Sequence, residues 1–510
     1  MEMTKSTIRP WEAYTMNSIA EIFNYDKHLS DSIEAFFKKY IGCSLLSKCN
    51  ITKIIDDVTK VTNFEYCDNP ILKLIGDIKN SPMLDKVVSA KELLMDKMAM
   101  CFHSASPYRM FKEGTFFKDY KKDTFYRFDK LPKANWERLQ IETAKNVIDD
   151  IESQTKDNHV NALIFDDSLY ARTRGKGTEL CARVHDHTIH KSALGFRMMT
   201  GGWTNSDVYV PFSQVLLSTR DNSKMVGPDE QIDLRTVRGK RRKLAKTKGT
   251  EVVYHMVKQA QSTGIPFDYV LFDTWFSNPA QLVDLKGIGA DVIAMVKKGS
   301  TKYTYKDPET GEECKLNVKE IYSRNKKRRG RSRYLLSVNV TISNKDGKSI
   351  PVKLVYARNH SNRKDWVCFV CTDMEANEEK ILRVYTLRWK CELYFGICKG
   401  YLKLRTECHS TSYDAITSHM VIVALRYMML TVERFNNTDN RTIEEFFYGL
   451  QREVLNEMMD CAIALILEIM LESVRRTFNA TDTQMNVLVS DFISNLPTQW
   501  RAKFRLPDAA

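Results

Sequence analysis

The chain lacks the segments that would place it in a membrane. Its first residues, MEMTKSTIRP, contain no apolar signal core. The most apolar stretch, MVIVALRYMML at 420–430, is short for a membrane span and contains Arg426. No internal repeat and no low-complexity tract is present. We therefore expect a globular cytoplasmic protein of two to four domains, with no membrane partner.

The chain also lacks a convincing zinc-binding pattern. Its 12 cysteines are scattered and would be reduced thiols in the cytoplasm. Cys368 and Cys371 form one C-x2-C pair, but no second pair follows at zinc-finger spacing. Because this pair lies in a strand pattern, two buried cysteines are favoured over a metal site.

Positive charge is in excess. The sequence has 77 Lys and Arg against 64 Asp and Glu, a formal net charge of +13, which suits a polyanionic partner. Two dense basic runs stand out, RTVRGKRRKLAKTKG at 235–249 and SRNKKRRGRSR at 323–333. They are either solvated loops or loops that lie along DNA phosphates, and we favour the second. For the histidines of RVHDHTIH at 183–190, a structural or DNA-adjacent role is favoured over a metal site.

Four polar residues share one face of a predicted helix in VYTLRWKCELYFGICKG, namely Tyr385, Arg388, Glu392 and Lys399. At about 100° per residue they fall on a stripe roughly 60° wide. Arg and Lys bind phosphate oxygens, and Glu ligates hard cations. The stripe therefore suggests a site for a metal and a phosphate together. The alternative is an exposed charged face in which Arg388 and Glu392 form an ordinary i,i+4 pair.

Two further segments are short apolar runs that end at Phe-Asp, NALIFDDS at 161–168 and DYVLFDTW at 268–275. Such runs are typical of buried strands. Because ligands of α/β sheets gather at the carboxyl ends of strands, we expect the two acids to lie side by side. The alternative is that each Asp caps the turn that follows it.

The first of these segments offers two candidate acids. Asp167 precedes Ser168 as Asp273 precedes Thr274, and this parallel favours Asp167. Neighbouring strand residues point to opposite faces, so only one acid of the pair faces the site. Asp166 remains the alternative.

Together these residues resemble the DDE transposases of bacterial insertion sequences, and more narrowly the insertion-sequence-four family. The signature Tyr-x2-Arg-x3-Glu-x6-Lys matches at all four positions, and Trp389 follows Arg388 as it commonly does in that family. The motifs extend over residues 161–399. The segment KDTFYRFDKLPKANWERL, at 122–139, also resembles the region that precedes the catalytic core there.

The resemblance implies an α/β protein with an RNase H-like mixed sheet flanked by helices. It implies a catalytic triad of Asp167, Asp273 and Glu392 that binds two Mg²⁺ ions, for which Mn²⁺ can substitute. Such ions would also relieve the repulsion among three carboxylates, about 4 kcal/mol per pair at 4 Å and an effective dielectric near 20. The resemblance further implies DNA binding by a second set of side chains, Tyr385, Arg388, Trp389 and Lys399.

The implied function is cut-and-paste DNA transposition. The protein would bind terminal inverted repeats, nick each end, form a hairpin and join the end to target DNA. Its partners would be double-stranded DNA, as transposon ends and target, and a second copy in a homodimer, at the nucleoid in the cytoplasm. The alternatives are a metal-dependent nuclease that does not join DNA and a non-catalytic DNA-binding descendant. The complete set of acids argues against the second.

The spacing of the motifs predicts the domain organisation. Between Asp273 and Glu392 there is room for a β-rich insertion at about 296–373, with strands at 334–343, 350–358 and 365–373. The catalytic domain would span 131–410. Residues 1–130 would form a helical region that binds DNA ends. Residues 411–510 are expected to be helical, with breaks near 436–440 and 479–482, and could mediate dimerisation.

Overall fold

The structure is a computed structural model, and it describes eleven segments of the chain. These are residues 27–41, 90–103, 107–112, 122–155, 159–173, 175–186, 191–307, 310–329, 332–362, 364–436 and 441–497. Most of the predicted end-binding region at 1–130 therefore lies outside the described residues, as do His187 and His190 of the histidine cluster. The parts of 1–130 that are described are helical.

Eleven strands are described. They are β1 Ala162–Ala171, β2 Ala182–Asp186, β3 Lys191–Thr204, β4 Tyr209–Leu217, β5 Tyr269–Phe272, β6 Asp291–Val296, β7 Tyr303–Lys306, β8 Glu313–Leu316, β9 Tyr334–Ser343, β10 Ser349–Arg358 and β11 Trp366–Cys371.

The described α-helices precede, separate and follow these strands. They are α1 Lys27–Phe36, α2 Ala90–Ala99, α3 Pro107–Lys112, α4 Lys122–Asp129, α5 Trp136–Gln154, α6 Val237–Ala245, α7 Gly249–Thr263, α8 Pro279–Gly287, α9 Val318–Arg324, α10 Glu378–Thr386, α11 Trp389–Gly400, α12 Tyr413–Asn436, α13 Ile443–Phe478 and α14 Asp482–Asn495.

The strands form one mixed sheet. Its order is β2-β3-β1-β5-β6-β11-β10-β9-β7-β8, with β4 paired to β3. The central strands β1, β5 and β6 are parallel, and β3 and β4 continue the sheet in antiparallel fashion on one side. Helices α5 and α12 pack on β4 and on each other. This mixed sheet flanked by helices is compatible with an RNase H-like core and confirms the predicted fold class.

The predicted β-rich segment extends the same sheet. Strand β11 pairs antiparallel with β6, and β10 and β9 follow outward. The expected strands at 334–343, 350–358 and 365–373 correspond to β9, β10 and β11, which confirms them to within two residues at each end. Cys368 and Cys371 are buried thiols in β11. Because they are three residues apart in a strand, they point to opposite faces of the sheet.

The C-terminal region is helical where it is described. Breaks follow Asn436 and Phe478, as the sequence predicts. By length and composition α12 could cross a membrane, but its apolar window is fully buried in the protein, as in a core helix. Arg426 lies in the middle of this helix and is completely buried, where it forms an ion pair with Glu407 at 2.7 Å.

Candidate active site

The two aspartate motifs lie side by side, as the sequence predicts, and the structure places them on adjacent parallel strands. Phe165 of β1 pairs with Phe272 of β5 at the end of their parallel register. The next residues along the two strands are Asp166 and Asp273. Strand β5 ends there, whereas β1 continues to Ala171 through its pairing with β3. The register therefore matches Asp166, and not Asp167, with Asp273.

Asp166 faces the late helices. It is 7% exposed, and its Oδ2 atom accepts a hydrogen bond from the guanidinium of Arg388. Its Oδ1 atom accepts the backbone N–H of Asp167 at 2.9 Å. Ser168, two residues further along the strand, points to the same face and accepts a hydrogen bond from Nζ of Lys399. Helix α11 thus lies across the face of β1 that carries Asp166.

Asp167 points to the opposite face of β1, where Arg197 of β3 binds it. Arg197 donates from Nε to Oδ2 at 2.6 Å and from Nη2 to Oδ1 at 2.5 Å. This bidentate pairing occupies both carboxylate oxygens of Asp167. None of the sequence motifs pointed to Arg197. A single cation within the apolar pattern of GFRMMTGG is the signal that could have identified it.

The predicted single helix that carries the four-residue stripe is two helices. Tyr385 lies in the last turn of α10, and Arg388 stands at the N-terminus of α11 with Glu392 in its first turn. The backbone of Leu387 and Arg388 keeps helical angles, but hydrogen bonds there run from residue i+3 to i. This tighter winding changes the direction in which the side chains of α11 point relative to those of α10.

The structure nevertheless brings three of the four stripe residues to the acids. Nη1 of Arg388 lies 3.6 Å from Oε1 of Glu392 in addition to its bond to Asp166. Tyr385 is 8% exposed and packs against Phe369, with 4.7 Å between the ring centroids. Its pKa is raised to about 12 by burial, and the nearby Asp273 and Asp166 also raise it. Lys399, about two helical turns beyond Glu392, contacts Ser168 instead.

Three large apolar side chains stand in solvent beside the acids. Trp389 follows Arg388 and is 62% exposed, and Leu393, one turn later on α11, is 54% exposed. Trp275 is 55% exposed, and its backbone N–H donates to Oδ1 of Asp273 at 2.9 Å. Exposed tryptophans beside acidic groups are more typical of a surface that contacts a ligand or partner than of one that contacts only solvent.

The carboxylates influence one another's protonation. The pKa of Asp166 is raised to about 7: burial raises it most, Arg388 lowers it, and Glu392, Asp273 and Asp167 raise it. Burial also raises the pKa of Asp273, against the effect of its hydrogen bond from Trp275 and of Arg388. Arg388 therefore offsets only part of the effect that burial and the neighbouring carboxylates have on these pKa values.

The donor set fits a hard divalent cation in its chemistry. Asp166, Asp273 and Glu392 offer only carboxylate oxygens, which Mg²⁺ and Mn²⁺ prefer, and an added cation would reduce the repulsion that raises the pKa of Asp166. Within the part of the chain that the structure describes, no group of three or more His, Cys, Asp and Glu side chains stands close enough to hold one ion. The guanidinium of Arg388 is the cation next to Asp166 in this structure.

The basic run at 235–249 is not a loop, contrary to the prediction. Thr236 caps α6, which spans most of the run. Three of its arginines bind buried carboxylates because α6 packs against the start of α12. Those ion pairs join Arg238, Arg241 and Arg242 to Asp414, and Arg242 also to Glu179. Lys240, Lys243 and Lys248 remain exposed. In the second run the described residues 325–329 form no helix or strand.

A family model described as "DDE superfamily endonuclease" matches residues 89–342. The matched segment contains β1 with its aspartate pair and Asp273 after β5, and it ends before α10 and α11. No match was found among curated proteins. DDE superfamily enzymes generally use divalent metal ions. The match supports a DDE transposase-type nuclease, that is, an enzyme that cleaves nucleic acid.

Proposed function

We propose that the protein is a cut-and-paste DNA transposase of the insertion-sequence-four type. The observation that carries this proposal is the meeting of Asp166, Asp273, Arg388 and Glu392 at the end of the parallel strands. The acids alone account for metal-dependent cleavage, as in the alternative nuclease. The arginine, with Tyr385 beside it, adds groups suited to holding a phosphate of the cleaved strand.

In this proposal Asp166, Asp273 and Glu392 are the acids that hold divalent metal, and Asp166 takes the role that the motif resemblance assigned to Asp167. Both oxygens of Asp167 are bound by Arg197, whereas Asp166 shares Arg388 with Glu392. When bound, two such ions would lower the pKa of the attacking hydroxyl and stabilise the leaving oxygen of an in-line displacement at phosphorus.

The residues of the chain itself would do the positioning. Arg388 would offer its guanidinium to a non-bridging phosphate oxygen, and Tyr385 its hydroxyl, on the same side as the acids. Lys399 would add a cation further along α11. Nicking, hairpin formation and joining are the same displacement at phosphorus, with water as the nucleophile in the first step and a 3′-hydroxyl in the later ones. One site can therefore perform all three.

Double-stranded DNA is the proposed partner, as transposon ends and as target, and a homodimer is the proposed assembly. The net charge of +13 favours a polyanion. Exposed apolar side chains on α13 and α14 would suit contact with a second copy; they include Ile469, Phe478, Val487 and Phe492. A protein that acts on chromosomal DNA would work at the nucleoid.

The test is a reaction with DNA that carries the terminal repeats found on either side of the gene. The purified protein, with Mg²⁺ or Mn²⁺, should give nicked, hairpin and joined products, which a denaturing gel separates. DNA with scrambled ends is the control. Nicked products without hairpins or joining would favour the metal-dependent nuclease, and binding without cleavage would favour the non-catalytic descendant.

A further inference from the structure

Trp275 occupies an unusual position for a large aromatic side chain. It lies two residues after Asp273, and more than half of its surface is exposed to solvent. Its backbone is fixed, because its N–H donates to Oδ1 of Asp273 at 2.9 Å. The indole is thus both exposed and held beside an acid of the candidate active site.

The guanidinium of Arg197 lies against this indole. Its guanidinium carbon is 5.1 Å from the centroid of the Trp275 ring, within the range of a cation–π contact. The guanidinium has little freedom, because two hydrogen bonds join it to both carboxylate oxygens of Asp167. Asp167, Arg197 and Trp275 therefore form a chain of contacts that fixes an aromatic surface.

The chain of contacts accounts for charges that the metal site does not use. The carboxylate of Asp167 is only 12% exposed and would be costly to bury without a partner. Arg197 is that partner and is itself 23% exposed. Its positive charge lies near Asp273, whose pKa it lowers. A guanidinium and an indole side by side are the groups that proteins use to stack unpaired bases and to balance the adjacent phosphate.

We propose that Trp275 and Arg197, with Asp167 as a positioning residue, form a stacking site for an unpaired nucleobase of the DNA strand held at Asp273. The inference rests on the proposed function, since it takes DNA as the substrate. A strand that is cut and bent at the acids must expose bases, and every base offers a flat face to an indole regardless of sequence. The site would hold such a base beside the scissile phosphate.

The experiment measures binding of DNA ends in a Glu392→Gln background with Mg²⁺, so that the DNA is not consumed. Trp275→Ala should weaken binding by about 5- to 150-fold, the range for loss of one stacked base. Trp275→Phe should retain part of the affinity, and Asp167→Asn should lose less than Trp275→Ala because it only loosens Arg197. Leu234→Ala removes a comparably exposed apolar side chain, 56% exposed, that lies outside both the acids and the proposed dimer surface, and it serves as the matched control.

A scan of abasic substitutions identifies the base. One abasic nucleotide near the cleavage position should abolish the difference in DNA affinity between the protein with Trp275 and the Trp275→Ala variant. Abasic nucleotides elsewhere should leave that difference intact. An equal loss on every abasic DNA would overturn the stacking site, as would unchanged binding by Trp275→Ala.

Cleavage of the unmodified DNA by the parent protein is read in parallel. If the protein with Glu392 intact cleaves and joins DNA, but no abasic position abolishes the effect of Trp275→Ala on binding, the stacking inference alone fails. If one abasic position abolishes the effect of Trp275→Ala on binding, but the protein with Glu392 intact does not cleave the DNA, the proposed function fails and the stacking site stands. Absence of any DNA binding by the parent would overturn both.

Discussion

Arg388 donates a hydrogen bond to Asp166, although 222 positions separate them in the sequence. The bond joins the turn before α11 to the middle of β1, and the same guanidinium lies 3.6 Å from Oε1 of Glu392, one turn further along α11. Arg388 is thus the cation that reduces carboxylate repulsion at this site. This contact distinguishes the two candidate acids of β1, because Asp167 is held on the other face by Arg197.

The first prediction follows from that distinction. Asp166→Asn, Asp273→Asn and Glu392→Gln should each abolish nicking with Mg²⁺ and leave binding of DNA ends largely intact, since each removes a ligand charge but keeps size and polarity. Asp167→Asn should be milder, because it disturbs Arg197 and not the metal. Quantitative nicking assays with binding measured in parallel would test this. A milder effect of Asp166→Asn than of Asp167→Asn would return the catalytic role to Asp167.

Local patterns predicted much of this arrangement. The alternation in YLLSVNVTIS and IPVKLVYAR indicated strands that the structure confirms as β9 and β10, because side-chain periodicity reflects burial directly. The two Phe-Asp runs correctly indicated two buried strands whose acids lie side by side, and the structure shows that these strands are parallel. The choice between Asp166 and Asp167 depends on sheet register. Aligning Phe165 with Phe272 gives that register, whereas the resemblance of Asp-Ser to Asp-Thr does not.

Long-range ion pairs were beyond prediction. The basic run at 235–249 indicated a solvated or DNA-bound loop, yet Arg242 is 4% exposed. Its partners Glu179 and Asp414 are distant in sequence, and only the packing of α6 on α12 brings them together. The tight turn at Leu387 was likewise hidden, since residues 385–392 keep a helical sequence pattern.

The second prediction concerns the pH dependence of cleavage. Burial raises the pKa of Asp166 and Arg388 lowers it, and the net value is about 7. Arg388→Ala should therefore raise that pKa, so that a larger fraction of Asp166 is protonated at pH 7 and cannot ligate a cation. The rising limb of the pH–rate profile should move to higher pH, and Arg388→Lys should move it less. Profiles with equal midpoints in all three proteins would contradict this electrostatic role.

The third prediction separates the later steps from the first. Tyr385→Phe and Lys399→Ala should impair hairpin formation and joining more than first-strand nicking, because both groups would hold a phosphate where the strand bends. A lost charge-assisted hydrogen bond of about 1.5–3 kcal/mol corresponds to roughly a 10- to 150-fold effect. Time courses on a gel that separates the products provide the measurement. Equal loss of every step would make these residues general scaffolding.

The fourth prediction concerns DNA binding by α6. Replacing the exposed Lys240, Lys243 and Lys248 with Gln should reduce the slope of log affinity against log salt by about 0.9 for each phosphate that is no longer neutralised. Arg242→Gln, by contrast, should lower the free energy of unfolding by about 3–5 kcal/mol, because it leaves Glu179 and Asp414 with less buried countercharge. A salt slope that the lysine changes leave untouched would show that this surface does not bind DNA.

The last prediction concerns the buried charges around α12. Burial lowers the pKa of His419 to about 4, against an ordinary value of 6.5. Despite burial, which would raise it, Arg426 and His419 hold the pKa of Glu407 at about 2. His419 is thus neutral in the folded protein near pH 5, while the unfolded chain takes up a proton there. The free energy of unfolding should be highest above pH 6.5 and fall as the pH decreases from 6.5 towards 4.

Glu407 acts in a lower window, because its contribution is present above pH 4.5 and is lost only as the pH falls towards 2. His419→Gln should therefore remove a slope of up to about 1.4 kcal/mol per pH unit between pH 6.5 and 4.5. His409→Gln, which changes an exposed histidine, is the matched control and should keep the slope. Urea unfolding at half-unit pH steps measures the difference. If His419→Gln and the parent lose stability equally across this window, the proton is taken up elsewhere and His419 is not the group that limits stability in mild acid.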